Sequence, residues 1–503
     1  MNSEKRSLFV DFASGIAFYS IPVLTRAAAS FLTIPIYTRF LTPSDYGTLE
    51  LLDLTSFLFA VLIGTNFGHS VFYYYSAAKT DSDRGRAITT VFFGSVLLGT
   101  FAGVFGLSFA GVVSRAIFNT GAYASYIRLL FVTLALAFPA EVGLSCIRVL
   151  NRPRTYSVVS VTRLLTGAAA NIILLTVFKM GFAAMLWGSL IVTAGTAMYM
   201  VWFCAPSFRH RPDRHLFWAM LRYSWPLNVS ALAMLILDLG DRYVLKRTVS
   251  LAELGIYGLA YKLGMIVGTV SLIFNQFWKP RMFALTGQPG GERTYVRVCT
   301  YYTLALTLVC IGLSLLMCPL LQVIVGRDFI SVGAYIPSIA VIYLVRVVGD
   351  YFRNAFYLNK RTGKDAQITW LGTAVCVTAY LTLIPWLRLW GAIAATGISF
   401  GLMLVVSFWQ AQKVQHFPFE IRRMFLIACT GVAMIAASIR LQPAGMYPRL
   451  FLGIAVALSY PMILAALGLI EPDEKVLVRR GLAAVRVRIL NVGSPRKEPQ
   501  SGL

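Results

Sequence analysis

Acidic residues, histidines and long polar linkers are all scarce in this chain. Asp and Glu number 21 against 45 Lys and Arg, and there are only four histidines. None of the histidines lies deep in an apolar run, which argues against a haem or a metal relay. The seven cysteines (146, 204, 299, 310, 318, 376 and 429) show no CxxC spacing. Most fall in or at the ends of apolar runs, so they read as small buried hydrophobes, with no disulfide frame and no zinc site. No GxxxxGK[ST] occurs, so no phosphate-cradling loop of that kind hydrolyses ATP. The N-terminus lacks a short h-region followed by a small-residue cleavage site, and its first apolar run is expected to be retained. No gap between apolar runs exceeds about 20 residues. That leaves no room for a soluble domain, and the length implies one polytopic membrane unit.

What the chain has in abundance is apolar sequence and positive charge, 57% hydrophobic residues with a formal net charge of +24. About fourteen stretches reach the roughly 20 residues needed to cross a bilayer. They lie near 14–38, 46–75, 87–112, 123–147, 156–178, 181–203, 222–246, 254–279, 295–318, 332–357, 366–387, 390–411, 422–440 and 448–470. Every second gap is basic, and these gaps with the two termini hold 30 of the 45 Lys and Arg. Among them are Lys79, Arg84 and Arg86; Arg148, Arg152 and Arg154; and Arg209, Arg211, Arg214 and Arg222. The positive-inside rule then predicts cytoplasmic termini and an even number of spans. A nucleic-acid footprint would gather the charge in one patch, whereas here it follows loop parity.

A short internal repeat divides the spans. Arg39-Phe-Leu-Thr-Pro-Ser-Asp-Tyr-Gly47 is echoed by Arg247-Thr-Val-Ser-Leu-Ala-Glu-Leu-Gly255, with Arg, an acid and Gly at a constant offset of 208 residues. Six spans separate the copies, so both have the same orientation. This predicts two parallel six-helix lobes around a midplane site, plus two C-terminal helices. The expected organisation is a cytoplasmic N-terminus (1–13), an N-lobe (14–203), a cytoplasmic linker (204–221), a C-lobe (222–411), spans 13 and 14 (412–470) and a basic cytoplasmic tail (471–503). In the tail, Leu482, Val485 and Ile489 share a helical face among arginines, a pattern for a helix on anionic lipid or for a solvated basic tail.

Charged residues inside spans carry the candidate chemistry, since a cation at mid-bilayer costs roughly 2.5–3.5 kcal/mol on insertion scales and seeks a cavity or a partner. Arg26 lies near the middle of span 1, and Ser30, Thr33 and Tyr37 continue its face as a polar stripe. Glu50, Asp53 and Ser56 share a face in span 2. Asn228, Asp238 and Arg242 share one in span 7, as do Tyr343, Arg346, Asp350, Arg353 and Tyr357 in span 10. Arg346 and Asp350 are spaced to neutralise each other. Lys262 lines up with Gly258, Thr269 and Gln276 in span 8. Arg163 sits close enough to a span end to snorkel. Glu141 is a candidate proton site or cation partner.

The stretch PVLTRAAASFLTIPIYTRFLTPSDYGTLELLD (22–53) resembles the opening of polysaccharide flippases of the multidrug/oligosaccharidyl-lipid/polysaccharide exporter superfamily. Their first hairpin carries a "tR.L.p.dyG" turn, matched by Thr38-Arg39, Leu41, Pro43 and Asp45-Tyr46-Gly47. Asp238-Leu-Gly-Asp241-Arg242 followed by Gly255-Ile-Tyr257-Gly258-Leu-Ala-Tyr261-Lys262 is similar to that family's seventh and eighth spans.

The resemblance implies a transporter of the bacterial inner membrane with no catalytic residue, metal or cofactor. Its substrate would be an undecaprenyl-pyrophosphate-linked oligosaccharide for surface polysaccharide, such as the O-antigen of lipopolysaccharide. Glycosyltransferases and a polymerase would be its partners, and nucleic acid would not. Arg26, Lys262 and Arg346 with Tyr37, Tyr257, Tyr261 and Tyr343 would hold the anionic sugar headgroup. Asp53, Glu141, Asp238 and Asp350 would couple transport to an H+ or Na+ gradient. A lipid II flippase would differ in substrate only. A multidrug extruder would favour an acidic cavity, which the excess of intramembrane cations opposes. A membrane glycosyltransferase or polymerase would want acids on a large outer loop, whereas the only DxD, Asp81-Ser82-Asp83, reads as a solvated turn.

Overall fold

The computed structural model describes residues 22, 25, 26, 28–285, 288–441, 443 and 445–469. The segment 1–13, the start of the first expected span and the tail 471–503 with its amphipathic stretch lie outside the described residues. The described residues form helices and connecting turns, with no strand among them. In chain order the helices are α1 (28–40), α2 (Pro43–Ile63), α3 (Ser70–Ala77), α4 (Asp81–Phe118), α5 (Ala124–Val149), α6 (Pro153–Thr176) and α7 (Ala183–Cys204). They continue with α8 (Arg214–Leu239), α9 (Asp241–Leu245), α10 (Leu251–Gly264), α11 (Ile266–Leu285), α12 (Gly291–Ile324) and α13 (Ile336–Leu358). α14 (Thr362–Val414), α15 (Ile421–Arg440) and α16 (Met446–Ala466) complete the order.

Among the described residues, 11 helices are long and apolar enough to cross a membrane, or 12 if the bent pair Arg327–Ala334 and Ile336–Leu358 is one span. α14 is two helices joined at a sharp break, and it holds two of the expected spans. It contains Pro385, and at Arg388 the backbone leaves the helical region (φ 50°, ψ −125°). The chain then folds back, so that Ser399 Oγ donates to the Gly372 carbonyl at 2.7 Å and Tyr380 Oη lies 3.0 Å from Thr396 Oγ1. Lipid gives helices no hydrophobic reason to associate, so close packing must come from small residues. α4 shows this along Gly99, Gly103 and Gly106, which meet Ala135 and Phe131 of α5 so closely that a Cβ on Gly99 would overlap the Ala135 carbonyl.

Three of the basic loops, near 79–90, 148–154 and 204–222, lie close together. Thr89 Oγ1 donates to the Ser207 carbonyl at 2.6 Å, Thr90 Oγ1 accepts from Asp213 N at 3.0 Å, and the Arg152 guanidinium lies 5.7 Å from the Phe203 ring centre. A core of Phe67, Val71, Ile88, Phe92, Cys146 and Met220 lies beneath them. Asp81 and Asp83 form the first turn of α4, where Thr80 caps Asp83 and Asp81 pairs with Arg84 at 3.1 Å. This is the solvated turn expected of them. The less basic loops meet elsewhere, around Thr38–Gly47 and Val323–Tyr335.

The chain divides into two compact units. One holds α1 to α11, the end of α12 from Leu320, α13 and α14. The other holds α12 up to Pro319 with α15 and α16. Inside the latter, Glu420 accepts from Thr300 Oγ1 at 2.9 Å and from Arg423 Nη1 at 3.0 Å, and Tyr460 Oη donates to the Ile427 carbonyl at 3.0 Å. The seven cysteines are free, five of them buried.

Candidate functional site

α2 and α10 begin alike. Thr42 Oγ1 accepts from Asp45 N at 3.2 Å while the Asp45 carboxylate accepts from Thr42 N at 3.0 Å. Ser250 and Glu253 make the same reciprocal pair at 3.2 and 2.9 Å. Each arrangement satisfies N-terminal amides that a helix start would otherwise leave open. The two caps are 208 residues apart, the offset of the sequence repeat. Gly47 and Gly255 follow, and there the helices cross. A Cβ on Gly47 would overlap the Leu251 carbonyl, and a Cβ on Gly255 would overlap that of Pro43. Pro43 and Leu251 share the same offset, so the contact has the two-fold symmetry of the repeat. One turn on, Gly258 lies against the Glu50 side chain, so the helices run parallel.

The motif of the first hairpin closes this end. Thr38 Oγ1 accepts from Gly326 N at 3.1 Å, Arg39 Nη2 donates to the Val323 carbonyl at 3.3 Å, and the Tyr46 ring meets Phe329 edge-on at 5.7 Å. The residues that carry the family resemblance are thus seal residues. Thr38, Arg39, Pro43, Tyr46 and Gly47 contact the far half of the chain, whereas Asp45 caps its own helix.

Beyond the crossing lies a chain of charges drawn from both halves. α8 stops at Gly240, and the new turn of α9 presents Asp241 and Arg242. Arg242 is 2% exposed. It donates to Asp241 at 2.7 Å, to Glu50 of α2 at 3.4 Å and to the Asp238 carbonyl at 3.1 Å, and it stacks on Tyr261 at 4.5 Å. Tyr257 Oη donates to the second oxygen of Asp241. The Asp238 carboxylate turns instead to Arg346. Arg346 also lies 3.9 Å from Asp350 and 5.0 Å from the Phe400 ring centre. Asp350 pairs in turn with Arg353, which reaches Asp365 at 3.0 Å and Thr369 at 3.1 Å, and Tyr357 Oη closes the series on Asp365 at 2.9 Å. Tyr343 links the two parts, edge-on to Tyr261 at 5.6 Å.

The sequence-predicted residues divide by surroundings. Lys262, Tyr257, Tyr261, Tyr343, Arg346, Asp238 and Asp350 belong to this series or border it. Lys262 lies within electrostatic reach of Tyr37, Tyr46, Glu50 and Asp53. Tyr37 Oη accepts from Asn171 Nδ2 of α6 at 3.3 Å. Asp53 is exposed, and Asp238 and Asp350 are 30% and 35% exposed. Arg26 is exposed and makes no ion pair among the described residues. Glu141 pairs with Arg163 at 2.6 Å, and Arg163 thus pairs within the protein where snorkelling was expected. The i,i+4 match of Asp238 with Arg242 is made through the Asp238 backbone, and the carboxylate goes to span 10. Sequence reasoning misses Glu50, Asp241 and Asp365 as site residues; Glu50 is visible only as a neighbour of Asp53 on one helical face. An apolar recess of about 240 Å³ lies beside the series, lined by Leu54, Leu58, Leu235, Tyr243, Val377 and Tyr380 among others.

Comparison with known proteins adds the family. The fold is similar to that of a structure titled lipid II flippase MurJ, inward closed conformation (TM-score 0.69, 13% identity, covering 90% of this chain and 99% of that one). It is also similar to an inward-facing multidrug resistance MATE family transporter of the MOP superfamily (TM-score 0.59, 14% identity, 83% and 99% covered). A third likeness is to a MOP superfamily transporter from Pyrococcus furiosus whose binding pocket has reversed polarity (TM-score 0.54, 14% identity, 82% and 96% covered). A search of curated proteins gave no match. A sequence profile of polysaccharide biosynthesis proteins matches residues 12–286, more than half of the chain. With this match, and with the all-helical fold of the multidrug/oligosaccharidyl-lipid/polysaccharide exporters, the chain belongs to the polysaccharide biosynthesis protein family.

Proposed function

We propose that this protein is a flippase that carries a polyprenyl-pyrophosphate-linked oligosaccharide across the cytoplasmic membrane by alternating access, for surface polysaccharides such as O-antigen. The observation that carries this reading is the charge series of Glu50, Asp53, Asp238, Arg242, Lys262 and Arg346. It joins both halves inside apolar helices and lies behind a seal formed by the hairpin motif. The positive-inside rule puts the basic end in the cytoplasm, so the sealed end faces outward. The pyrophosphate and sugars would dock on Arg26 and Lys262 with Tyr37, while Arg346, already paired, supports the wall. The prenyl tail stays in the bilayer as the headgroup crosses. Asp53, Asp238 and Asp350, partly open to the interior, are the carboxylates placed to exchange H+ or Na+, whereas Glu141 is committed to Arg163. The role is transport and not catalysis, and the glycosyltransferases and polymerase of the polysaccharide would act before and after it.

The likeness to the lipid II flippase structure over 99% of that chain favours a second reading, in which the headgroup is a peptidoglycan precursor. Both readings are tested by purified protein in vesicles that carry either a fluorescent polyprenyl-pyrophosphate oligosaccharide or lipid II. Faster flipping of the peptide-free lipid supports the first reading, and faster flipping of lipid II supports the second. Flipping of neither contradicts both.

A further inference from the structure

Away from the charge series, at the basic end, four exposed or half-buried tyrosines stand together. Tyr73 and Tyr74 of α3 come from one half, and Tyr223 of α8 from the other. The Tyr73 and Tyr223 rings are stacked, 5.3 Å apart and 16° from parallel, yet they remain 55% and 44% exposed. Tyr74 meets both edge-on, at 5.1 and 6.2 Å. Tyr75 follows, with the Arg84 guanidinium 5.7 Å from its ring centre. None of these four hydroxyls makes a hydrogen bond among the described residues, so the group offers free ring faces and free donors together.

A cation with no ion-pair partner among the described residues packs against α3 from α5, on Phe72 beside Tyr73. Arg148, in the last turn of α5, has its guanidinium between Phe72 of α3 at 5.2 Å and Tyr156 of α6 at 5.5 Å. Its Nη2 donates to Ser145 Oγ at 3.0 Å, its Nε is buried without a partner, and it makes no ion pair among the described residues. Buried donors of this kind are ordinarily satisfied, and an orphan calls for a missing acceptor. Guanidinium groups clamped by aromatic faces are well suited to phosphate oxygens, because the stack fixes the plane of the fork.

We infer that Tyr73, Tyr74 and Tyr223 with Arg148 form a loading site at the cytoplasmic mouth, where the pyrophosphate-linked sugar binds before it enters the interior. Tyrosine faces take the C–H face of a pyranose, the hydroxyls take its polar rim, and Arg148 takes the phosphate. Because Tyr73 and Tyr223 belong to opposite halves, the stack also closes the mouth, and a sugar that displaces one ring would part the halves as it loads. The inference rests on the flippase reading, and its test keeps the two separable.

The test is binding to full-length protein in nanodiscs, with polyprenyl-pyrophosphoryl-N-acetylglucosamine as one probe and polyprenyl phosphate without sugar as the other. Wild type should prefer the sugar-bearing probe. Tyr73→Ala and Tyr223→Ala should each weaken that probe about ten-fold and leave the sugar-free lipid unchanged. Arg148→Gln should weaken both probes alike. Tyr73→Phe keeps the stack and the fold and should lose only the share due to the hydroxyl. If wild type prefers the sugar probe but both alanine variants bind it normally, the loading site is wrong and the flippase reading stands. If the alanine variants lose thermal stability but not affinity, the tyrosines are interfacial packing and the inference is again wrong. If wild type shows no preference for the sugar-bearing lipid, the flippase reading itself fails.

Discussion

Gly47 and Gly255 meet backbone to backbone where α2 crosses α10, each at the same position of its own repeat and each with no room for a Cβ. Gly47→Ala or Gly255→Ala must push the helices apart, and overpacking of this kind costs about 1–3 kcal/mol. Both variants should lower the thermal midpoint of the detergent-solubilised protein. Because the two residues share one contact, the double variant should cost less than the sum of the singles, by about 0.5 kcal/mol or more. Unchanged midpoints, or strict additivity, would contradict the crossing.

Arg242 is the keystone of the charge series, buried against Glu50 and Asp241. Removing one partner of a buried pair costs about 3–5 kcal/mol, because it strands the other charge. Arg242→Gln should therefore sharply reduce abundance in the membrane, and adding Glu50→Gln should recover part of it. Quantitative blotting of membrane fractions reads both outcomes. If Arg242→Gln accumulates normally, the pairing described here is not structural.

Arg26 differs from Arg242 in having no carboxylate partner among the described residues to strand. Arg26→Ala should accumulate at the wild-type level yet lose glycan export, and Arg26→Lys should restore part of it where charge matters more than the planar fork. Normal export by Arg26→Ala would remove Arg26 from the headgroup site.

The carboxylates open to the interior are the place to look for coupling. Asp53→Asn, Asp238→Asn and Asp350→Asn should each be compared with Glu141→Gln in proteoliposomes, with and without an imposed ion gradient. At least one of the first three should flip substrate without responding to the gradient. Glu141→Gln should respond as wild type does, since Glu141 is held by Arg163. A normal gradient response from all four would exclude coupling through these groups.

The spans and the repeat were legible because each rests on a local signal: hydropathy, or a nine-residue echo. Even the hairpin motif was readable as a motif, though not as a seal, since Gly326 and Phe329 lie nearly 300 residues away in sequence. The site was legible by residue type and less so by partner. Helical spacing paired Asp238 with Arg242 and Arg346 with Asp350. The fold keeps the Arg346–Asp350 pair but adds Asp238 to Arg346, and it gives Arg242 to its neighbour Asp241 and to Glu50 of α2, partners that helical spacing cannot supply. Asp365 was out of reach because it acts across the α13–α14 turn. The stacked tyrosines left no periodic trace, because Tyr73 and Tyr223 join only when the halves meet.

The central claim is that the sealed end must open for substrate to cross. In a background without the seven native cysteines, Tyr46→Cys combined with Phe329→Cys puts a thiol on each side of the seal, where the two rings now meet. A short cleavable bis-thiol reagent added to proteoliposomes should stop flipping of the polyprenyl-pyrophosphate oligosaccharide, and cleaving the link should restore it, while either single variant should be unaffected. Undiminished flipping by the fully cross-linked double variant would contradict the account.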